Sequence, residues 1–195
     1  MKRTLDLLLS AIGLIAVLPL LLLLMIAIRL SSPGPALYSG IRIGRDGQPF
    51  LIYKLRTMVH EADKLGGSET PDDVPRITRF GAFLRRYKLD ELPQLINVLK
   101  GDMSLVGPRP EVMEEVACYT DEEEQLLQVR PGLTDWASLK YRHEGALLRG
   151  CSDPHKTYHE LIRPDKTRLG LEYVHHHNLL IDCKIILQTV RVLFQ

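Results

Sequence analysis

Residues 7–28 read LLLSAIGLIAVLPLLLLLMIAI, an almost unbroken apolar run of 22 residues interrupted only by Ser10, Gly13 and Pro19. As a helix rising 1.5 Å per residue it would extend roughly 33 Å, about the thickness of the hydrocarbon core of a bilayer. Lys2 and Arg3 ahead of it look like the charged start of a signal peptide. The run is longer than the apolar core of one, however, and no small-x-small cleavage site follows. Arg29 and the turn-rich Ser31-Ser32-Pro33-Gly34-Pro35 come next, which ends a helix rather than marking a processing point, so the segment is expected to be retained.

Two topologies fit this segment. Cations flank both ends, Lys2 and Arg3 before it and Arg29, Arg42 and Arg45 after it, so the cytoplasmic bias of positive charge chooses no orientation and suits two cytoplasmic ends. Pro19, near the middle, removes a backbone hydrogen bond and crowds the preceding turn at a cost of about 3 kcal/mol, which favours a bend and a re-entrant hairpin. A kinked but ordinary spanning helix fits equally well, since membrane helices tolerate Pro.

Around this element, 195 residues suffice for one compact domain and are few for two. The expected organisation is a membrane hairpin over 1–30 and one domain over 31–195. Lys and Arg total 25 against 24 Asp and Glu, which gives no reason to expect a nucleic-acid partner. Cys118, Cys151 and Cys183 are odd in number and far apart, without zinc or redox spacing, and read as reduced thiols.

Along the domain, 36–38 and 49–54 are short apolar or aromatic stretches around Gly44-Arg45-Asp46-Gly47, a β-hairpin pattern with its turn at Asp46-Gly47. Residues 57–75 are polar and Gly- and Pro-rich, a loop with a short helix at its start that can move over a site. From Ile77 to Leu99 apolar residues keep helical spacing with a break at 88–90, which predicts two helices. Asp90 suits the N-cap of the second, with Pro93 in its first turn and the Asp90–Glu91 pair at the positive end of its dipole. Residues 100–104 read as a cap and turn, and 106–110 as irregular chain. Residues 111–129 read as a helix with a solvated acidic face. In 179–195, Lys184, Gln188, Arg191 and Gln195 recur three or four apart among apolar residues, an amphipathic helix for a membrane interface or for the core. The fold class expected is α-dominated α+β, with a small β-hairpin.

The middle third is dense in groups that phosphate chemistry uses. Lys54 and Arg56 fall on a predicted strand, Arg85 and Arg86 precede the acidic pair, and Arg109 lies between Pro108 and Pro110. Guanidinium and ammonium groups neutralise phosphate oxygens, Arg bidentately. Adjacent carboxylates can divide labour, one attacking phosphorus and the other holding a divalent cation. Taken alone, Asp90-Glu91 is equally an N-cap followed by a dipole-complementing acid.

A longer pattern separates these readings. Lys2-Arg3-Thr4-Leu5-Asp6 before an apolar run with a central Pro, Ser32-Pro33-Gly34-Pro35, Tyr53-Lys54-Leu55-Arg56-Thr57-Met58, and above all LDELPQLINVLKGDMSLVGPRP at 89–110 resemble the bacterial sugar transferase family, the monotopic phosphoglycosyl transferases. The likeness continues through Arg130-Pro131-Gly132-Leu133-Thr134 and Trp136-Ala137 to Tyr173-Val174 and Asp182-Cys183-Lys184, over essentially the whole chain, in the family's minimal catalytic form.

The resemblance implies an enzyme that moves a sugar 1-phosphate from a UDP-sugar to polyprenyl (undecaprenyl) phosphate, starting assembly of a lipid-linked glycan. Asp90 would be the nucleophile, forming an aspartyl phosphosugar and releasing UMP, and Glu91 would bind Mg²⁺. Lys54, Arg56, Arg85, Pro108 and Arg109 would bind phosphate and nucleotide. It also implies a re-entrant helix bent at Pro19 and interfacial amphipathic helices, 179–195 included, around an active site facing the cytoplasm at the bacterial inner membrane. Membrane lipids are then partners, and a homodimer is left open. Leu18 stands where the family often has Ser, Asp135 and Ser138 replace Gly and Gln, and Gly170 stands where some members have an acid. These changes bear on sugar or nucleotide preference rather than on the reaction.

Other residues read blandly. Three consecutive histidines, His175 to His177, point in different directions on a helix and suit an exposed turn, and no ligand spacing is read among His60, His143, His155 and His159. Trp136 suits a packing or interface anchor. A membrane-anchored scaffold and a polytopic component are the competing functional readings. The intact Asp90, Glu91 and Arg109 argue against the scaffold, which has no use for an anionic pair beside cations.

Overall fold

The computed structural model describes residues 1–59 and 76–193. The loop expected at 57–75 therefore falls largely outside the described residues, as does His60.

The apolar run forms α1 (Lys2–Ser31), which continues through Pro19 without the break expected there. Pro19 lies on the exposed face, and so does Ile15, whose carbonyl loses its partner to the ring. On the opposite face Asp6, Ser10, Leu21, Leu24 and Ile28 are buried, with Leu14 and Val17 packed between them, three or four residues apart. That stripe holds both halves against one body. The outer face carries exposed Ile12, Ile15, Leu22, Leu23 and Ile26.

The two ends of α1 are fastened by polar contacts. Asp6 accepts from Ser104 Oγ at 2.8 Å and from the Leu105 amide at 3.1 Å. Lys2 donates to the Val106 carbonyl at 3.0 Å and to Asp182 at 2.8 Å, and Arg3 donates to the carbonyls of Val98 and Leu99. At the other end Arg56 donates to the carbonyls of Ser32, at 2.9 Å, and Pro33. The cations read as flanking the apolar run thus have protein partners at Lys2 and Arg3.

The hairpin is present as β1 (Leu37–Ile43) and β2 (Pro49–Leu55), antiparallel from Leu37↔Leu55 to Ile43↔Pro49. Asp46 (φ 56°) and Gly47 (φ 73°) are both left-handed, the geometry that Asp-Gly supplies in a tight turn. Next come α2 (Arg79–Arg86), capped by the Thr78 hydroxyl accepting from the Gly81 amide, and α3 (Gln94–Lys100). The break between them is real, with Lys88 at φ 55° and a 3-10 turn over Leu89–Glu91. Asp90 sits in that turn and does not cap α3, which starts after Pro93 without a side-chain cap.

A second pairing was not legible: β3 (Ser104–Val106) lies parallel to β4 (Gly132–Thr134). Gly107 and Gly132 make it possible, since a Cβ on Gly132 would stand 2.1 Å from the Gly107 nitrogen. The helix expected over 111–129 is instead α4 (Met113–Val116), a turn, and a 3-10 segment over Glu123–Gln128. Thr120 and Glu123 form a reciprocal capping box, the Thr120 amide donating to the Glu123 carboxylate at 2.9 Å, which starts a new element in mid-segment. Nor is its acidic face all solvated, for Arg163 lies 2.8 Å from Glu123 and 3.5 Å from Glu115.

The rest is helical: α5 (Trp136–Lys140), α6 (Glu144–Leu147), α7 (Pro154–Thr157), α8 (Arg163–His176) and α9 (Leu179–Leu193). Tyr173 on α8 donates to Asp182 on α9 at 2.7 Å, completing the cluster that begins at Lys2. α9 buries Asp182 and Ile185 and exposes Leu180, Leu187 and Val190 beside Arg191, so it has a core face and an apolar outer face at once. The main core joins Ile52, Val98, Met103, Val106, Tyr173 and Ile185, and a neighbouring cluster joins Leu24 and Ile28 of α1 to Leu55 and Leu84. Each such aliphatic side chain contributes about 1.5–3 kcal/mol by leaving water.

Candidate active site

The sharp turn at Lys88 presents Asp90 and Glu91 to a cavity of about 950 Å³ that Lys54, Arg85, Pro108 and Arg109 also line. β2 carries Lys54, and Asn97 of α3 locks that strand in place. Its side chain donates to the Leu51 carbonyl at 2.6 Å and accepts from the Tyr53 amide at 3.0 Å. Arg109 follows the close Gly107–Gly132 approach, where the Gly132 amide donates to the Pro108 carbonyl at 2.9 Å.

The two carboxylates have opposite environments. Glu91 Oε1 takes Lys54 Nζ at 3.1 Å and Arg109 at 2.9 Å. Burial opposes its ionisation, but Arg109 and Lys54 outweigh that and hold the carboxyl well below the usual range. Burial lowers the Lys54 pKa against the pull of Glu91, while Glu91 raises that of Arg109. Asp90 is 7% exposed, and its Oδ1 has no hydrogen-bond partner among the described residues. Burial, followed by the charge of Glu91, pushes its pKa up; Lys54, Lys88 and Arg85 offset part of the rise.

Of the residues expected at the site, Asp90, Glu91, Lys54, Arg85, Pro108 and Arg109 converge. Arg85 also donates to Thr57 Oγ1 at 3.0 Å. Arg56 does not join them: buried and bonded to the Ser32 and Pro33 carbonyls, it fastens the turn after α1 instead of holding phosphate. Strand alternation would put Lys54 and Arg56 on one face, but β2 ends at Leu55 and the alternation stops before Arg56.

Sequence reasoning missed Gln94, 3% exposed on the cavity wall with an unpartnered Nε2, and gave Asn97 no role. Asp135 and Ser138, flagged as departures, both line the cavity, and Asp135 caps α5 by accepting from the Ser138 amide at 2.6 Å. Burial raises the Asp135 pKa despite those bonds to Ser138. At Gly170 a Cβ would lie 2.8 Å from Leu126, which fills the space.

The histidines divide. His175 pairs with Gln125, and His176 and His177 with backbone carbonyls, as an exposed helix end requires. His155 and His159, four apart, do have ligand spacing: with Glu115 their ligand atoms lie within 4.8 Å of one another. Arg163 stands 3.5 Å from that same carboxylate, which gives Glu115 a cation already. The three cysteines are free thiols.

A Bacillus subtilis relative, provisionally named an undecaprenyl-phosphate N-acetylgalactosaminyl 1-phosphate transferase, is 52% identical over 110 residues, 56% of this chain and 62% of its own. The UDP-glucose:undecaprenyl-phosphate glucose-1-phosphate transferases of Caulobacter vibrioides and Escherichia coli are 41% and 37% identical, each over 97% of this chain. The chain spans 68% of the Caulobacter protein and 39% of the Escherichia coli one. The family profile described as bacterial sugar transferase matches residues 1–195, so the chain belongs to the bacterial sugar transferase family.

Proposed function

We propose that this chain is a phosphoglycosyl transferase, moving a sugar 1-phosphate from a UDP-sugar to undecaprenyl phosphate and so starting a lipid-linked glycan. The observation that carries this reading is Asp90 Oδ1, buried without a partner, beside a Glu91 held by Lys54 and Arg109.

Asp90 is suited to nucleophilic attack because no cation bonds to Oδ1. Its oxygen would bond to the phosphorus that bears the sugar, while the bond from that phosphorus to the UMP oxygen breaks with its electron pair on the leaving phosphate. An oxygen of the lipid phosphate would then attack the aspartyl phosphosugar and return Asp90 to its carboxylate. A covalent intermediate lets a soluble donor and a lipid acceptor use one site in turn. Burial and the charge of Glu91, which raise the Asp90 pKa, leave its carboxylate poorly solvated and so more nucleophilic once ionised. Lys54 and Arg109 are placed to meet diphosphate oxygens, and Arg85 lines the same wall.

The donor set fits Mg²⁺. Lys54 and Arg109 both bond Glu91 Oε1, which leaves Oε2 as a hard oxygen ligand. Glu91 would hold the ion, which when bound would offset charge on the diphosphate.

The membrane reading rests on α1. Its outer face is apolar, and both its ends are fastened to one body, through Lys2, Arg3 and Asp6 at the start and through Arg56 at the close. A spanning helix would carry one end across the bilayer, away from that body. This supports α1 staying on one side of the bilayer with its apolar outer face in the membrane, the active site at the cytoplasmic face of the inner membrane and the apolar outer face of α9 in the interface. The test of the function is release of UMP from a panel of UDP-sugars with Mg²⁺ and undecaprenyl phosphate. Release that requires lipid and Asp90 is expected and names the sugar; no release from any donor overturns the reading.

A further inference from the structure

The cavity wall contains a second buried group without a partner. Gln94 is 3% exposed, and its Nε2 has no hydrogen-bond partner among the described residues. A carboxamide buried in this way costs about 1–3 kcal/mol, so it calls for a reason. Asp90 Oδ1 is the matching orphan on the same wall.

The backbone relates the two. From Leu89 the chain stays right-handed through Leu92 (φ −53°, ψ −36°) and Pro93 (φ −62°, ψ −17°) into α3. The Leu92 amide donates to the Leu89 carbonyl at 3.3 Å, the Leu95 amide to Leu92 at 3.2 Å and the Ile96 amide to Pro93 at 3.0 Å. Asp90 and Gln94 are thus little more than one turn apart on a right-handed run of bonds between residues three apart, and both line the same cavity.

Chemistry decides what such a neighbour can do. The phosphoryl group accepted by Asp90 carries charge on its non-bridging oxygens through the transition state, and donors fixed in a desolvated site are worth most there. Lys54 and Arg109 hydrogen-bond to Glu91, one residue on, which leaves a place for a further donor beside Asp90 itself. A cation at position 94 would pair with Asp90 and quench the nucleophile, whereas a neutral amide adds a donor without adding charge to that of Lys54, Lys88 and Arg85.

We propose that Gln94 is a catalytic residue whose carboxamide N–H donates a hydrogen bond to a non-bridging oxygen of the phosphoryl group bound to Asp90, in both half-reactions. It moves no proton. The inference rests on the transferase reading and adds to it the donor for the transferred group.

The experiment compares the full chain with Gln94→Met, Gln94→Ala and Gln94→Glu, by UMP release at varied UDP-sugar and undecaprenyl phosphate, intact-mass detection of the phosphosugar adduct, and thermal unfolding. Gln94→Met is expected to lower kcat by about 10²-fold with little change in KM, in line with loss of one transition-state donor. It is also expected to leave Tm equal or higher, because an unsatisfied buried amide has been replaced by an apolar chain of similar volume. A structural role would move both readouts downward together. Gln94→Glu is expected to be slower still at neutral pH and, relative to wild type at the same pH, to recover in part as acidification turns its carboxylate into a donor. Active wild type with Gln94→Met within threefold of its kcat, or a fall in kcat matched by a fall in Tm, overturns the Gln94 proposal alone. Wild type without lipid-dependent UMP release removes the transferase reading and this proposal with it.

Discussion

Two acidic regions of this molecule look alike in sequence and differ in what surrounds them. At 111–123, Glu115 and Glu123 share Arg163, and the Thr120 amide satisfies Glu123 as well. At 90–91, one carboxylate is held by two cations while its neighbour has an oxygen with no partner in a cavity wall. The first region is the denser in charge, yet its described ion pairs hold elements together. Chemistry is expected where compensation is deliberately incomplete, so the partners of a carboxylate are more informative than the number of carboxylates.

The contrast can be broken most sharply at Asp90. Asp90→Asn is expected to lower UMP release by at least about 10³-fold, as loss of a nucleophile does, and to prevent the phosphosugar adduct seen by mass. A rate within tenfold of wild type would show that the unpartnered oxygen is not the nucleophile. Next in size is Glu91→Gln, expected to cost roughly 10²-fold and to raise the Mg²⁺ concentration for half-maximal rate, since a carboxamide is a poorer ligand for a hard cation. An unchanged Mg²⁺ dependence would assign the metal elsewhere.

In the other region, Glu123→Gln is expected to leave kcat per folded molecule unchanged. It should lower stability by about 2 kcal/mol, or roughly 4–8 °C in Tm for a chain of this size, by leaving Arg163 and the capping box undercompensated. A selective loss of kcat would erase the distinction between the two regions.

The smallest effect is also the most diagnostic. Because the folded pKa of Asp90 is raised, its ionised form opposes folding: the destabilisation is absent below the unfolded pKa and complete once pH has risen through the folded one. Asp90→Asn should therefore raise Tm at neutral pH, by about 2–4 °C, with the gain shrinking as pH falls into the acid range. Glu91 acts with the opposite sign. Its depressed pKa gives stability that is present above the unfolded value and lost only as pH falls through the lower folded one. A Tm gain for Asp90→Asn that is independent of pH would mean that burial of charge is not its cause.

Much of the local structure was legible because its signals are local. Asp46-Gly47 can take the left-handed turn that joins β1 to β2, and the break before Asp90 followed from the interruption of helical spacing. The capping box that divides 111–129 was also written in the chain, as Thr120 three residues before Glu123, and was hidden by a run of good helix formers. The β3–β4 pairing was not legible, because three-residue strands 28 positions apart (132 minus 104) leave no period to read.

Residue types at fixed spacing along one stretch determine an apolar helix of bilayer length, a hairpin, and an Asp-Glu pair beside cations, together with the family to which the whole chain belongs. Those are properties of neighbours in sequence, and periodicity and composition carry them. Tertiary structure alone decided that Lys54 and Arg109, 55 positions apart (109 minus 54), meet on Glu91 while Arg56 turns to the Ser32 and Pro33 carbonyls. It also decided that Asp90 and Gln94 keep polar atoms buried without partners. The free energy of a charge or a donor depends on what desolvates it and what faces it, and both are supplied by chain segments distant in sequence.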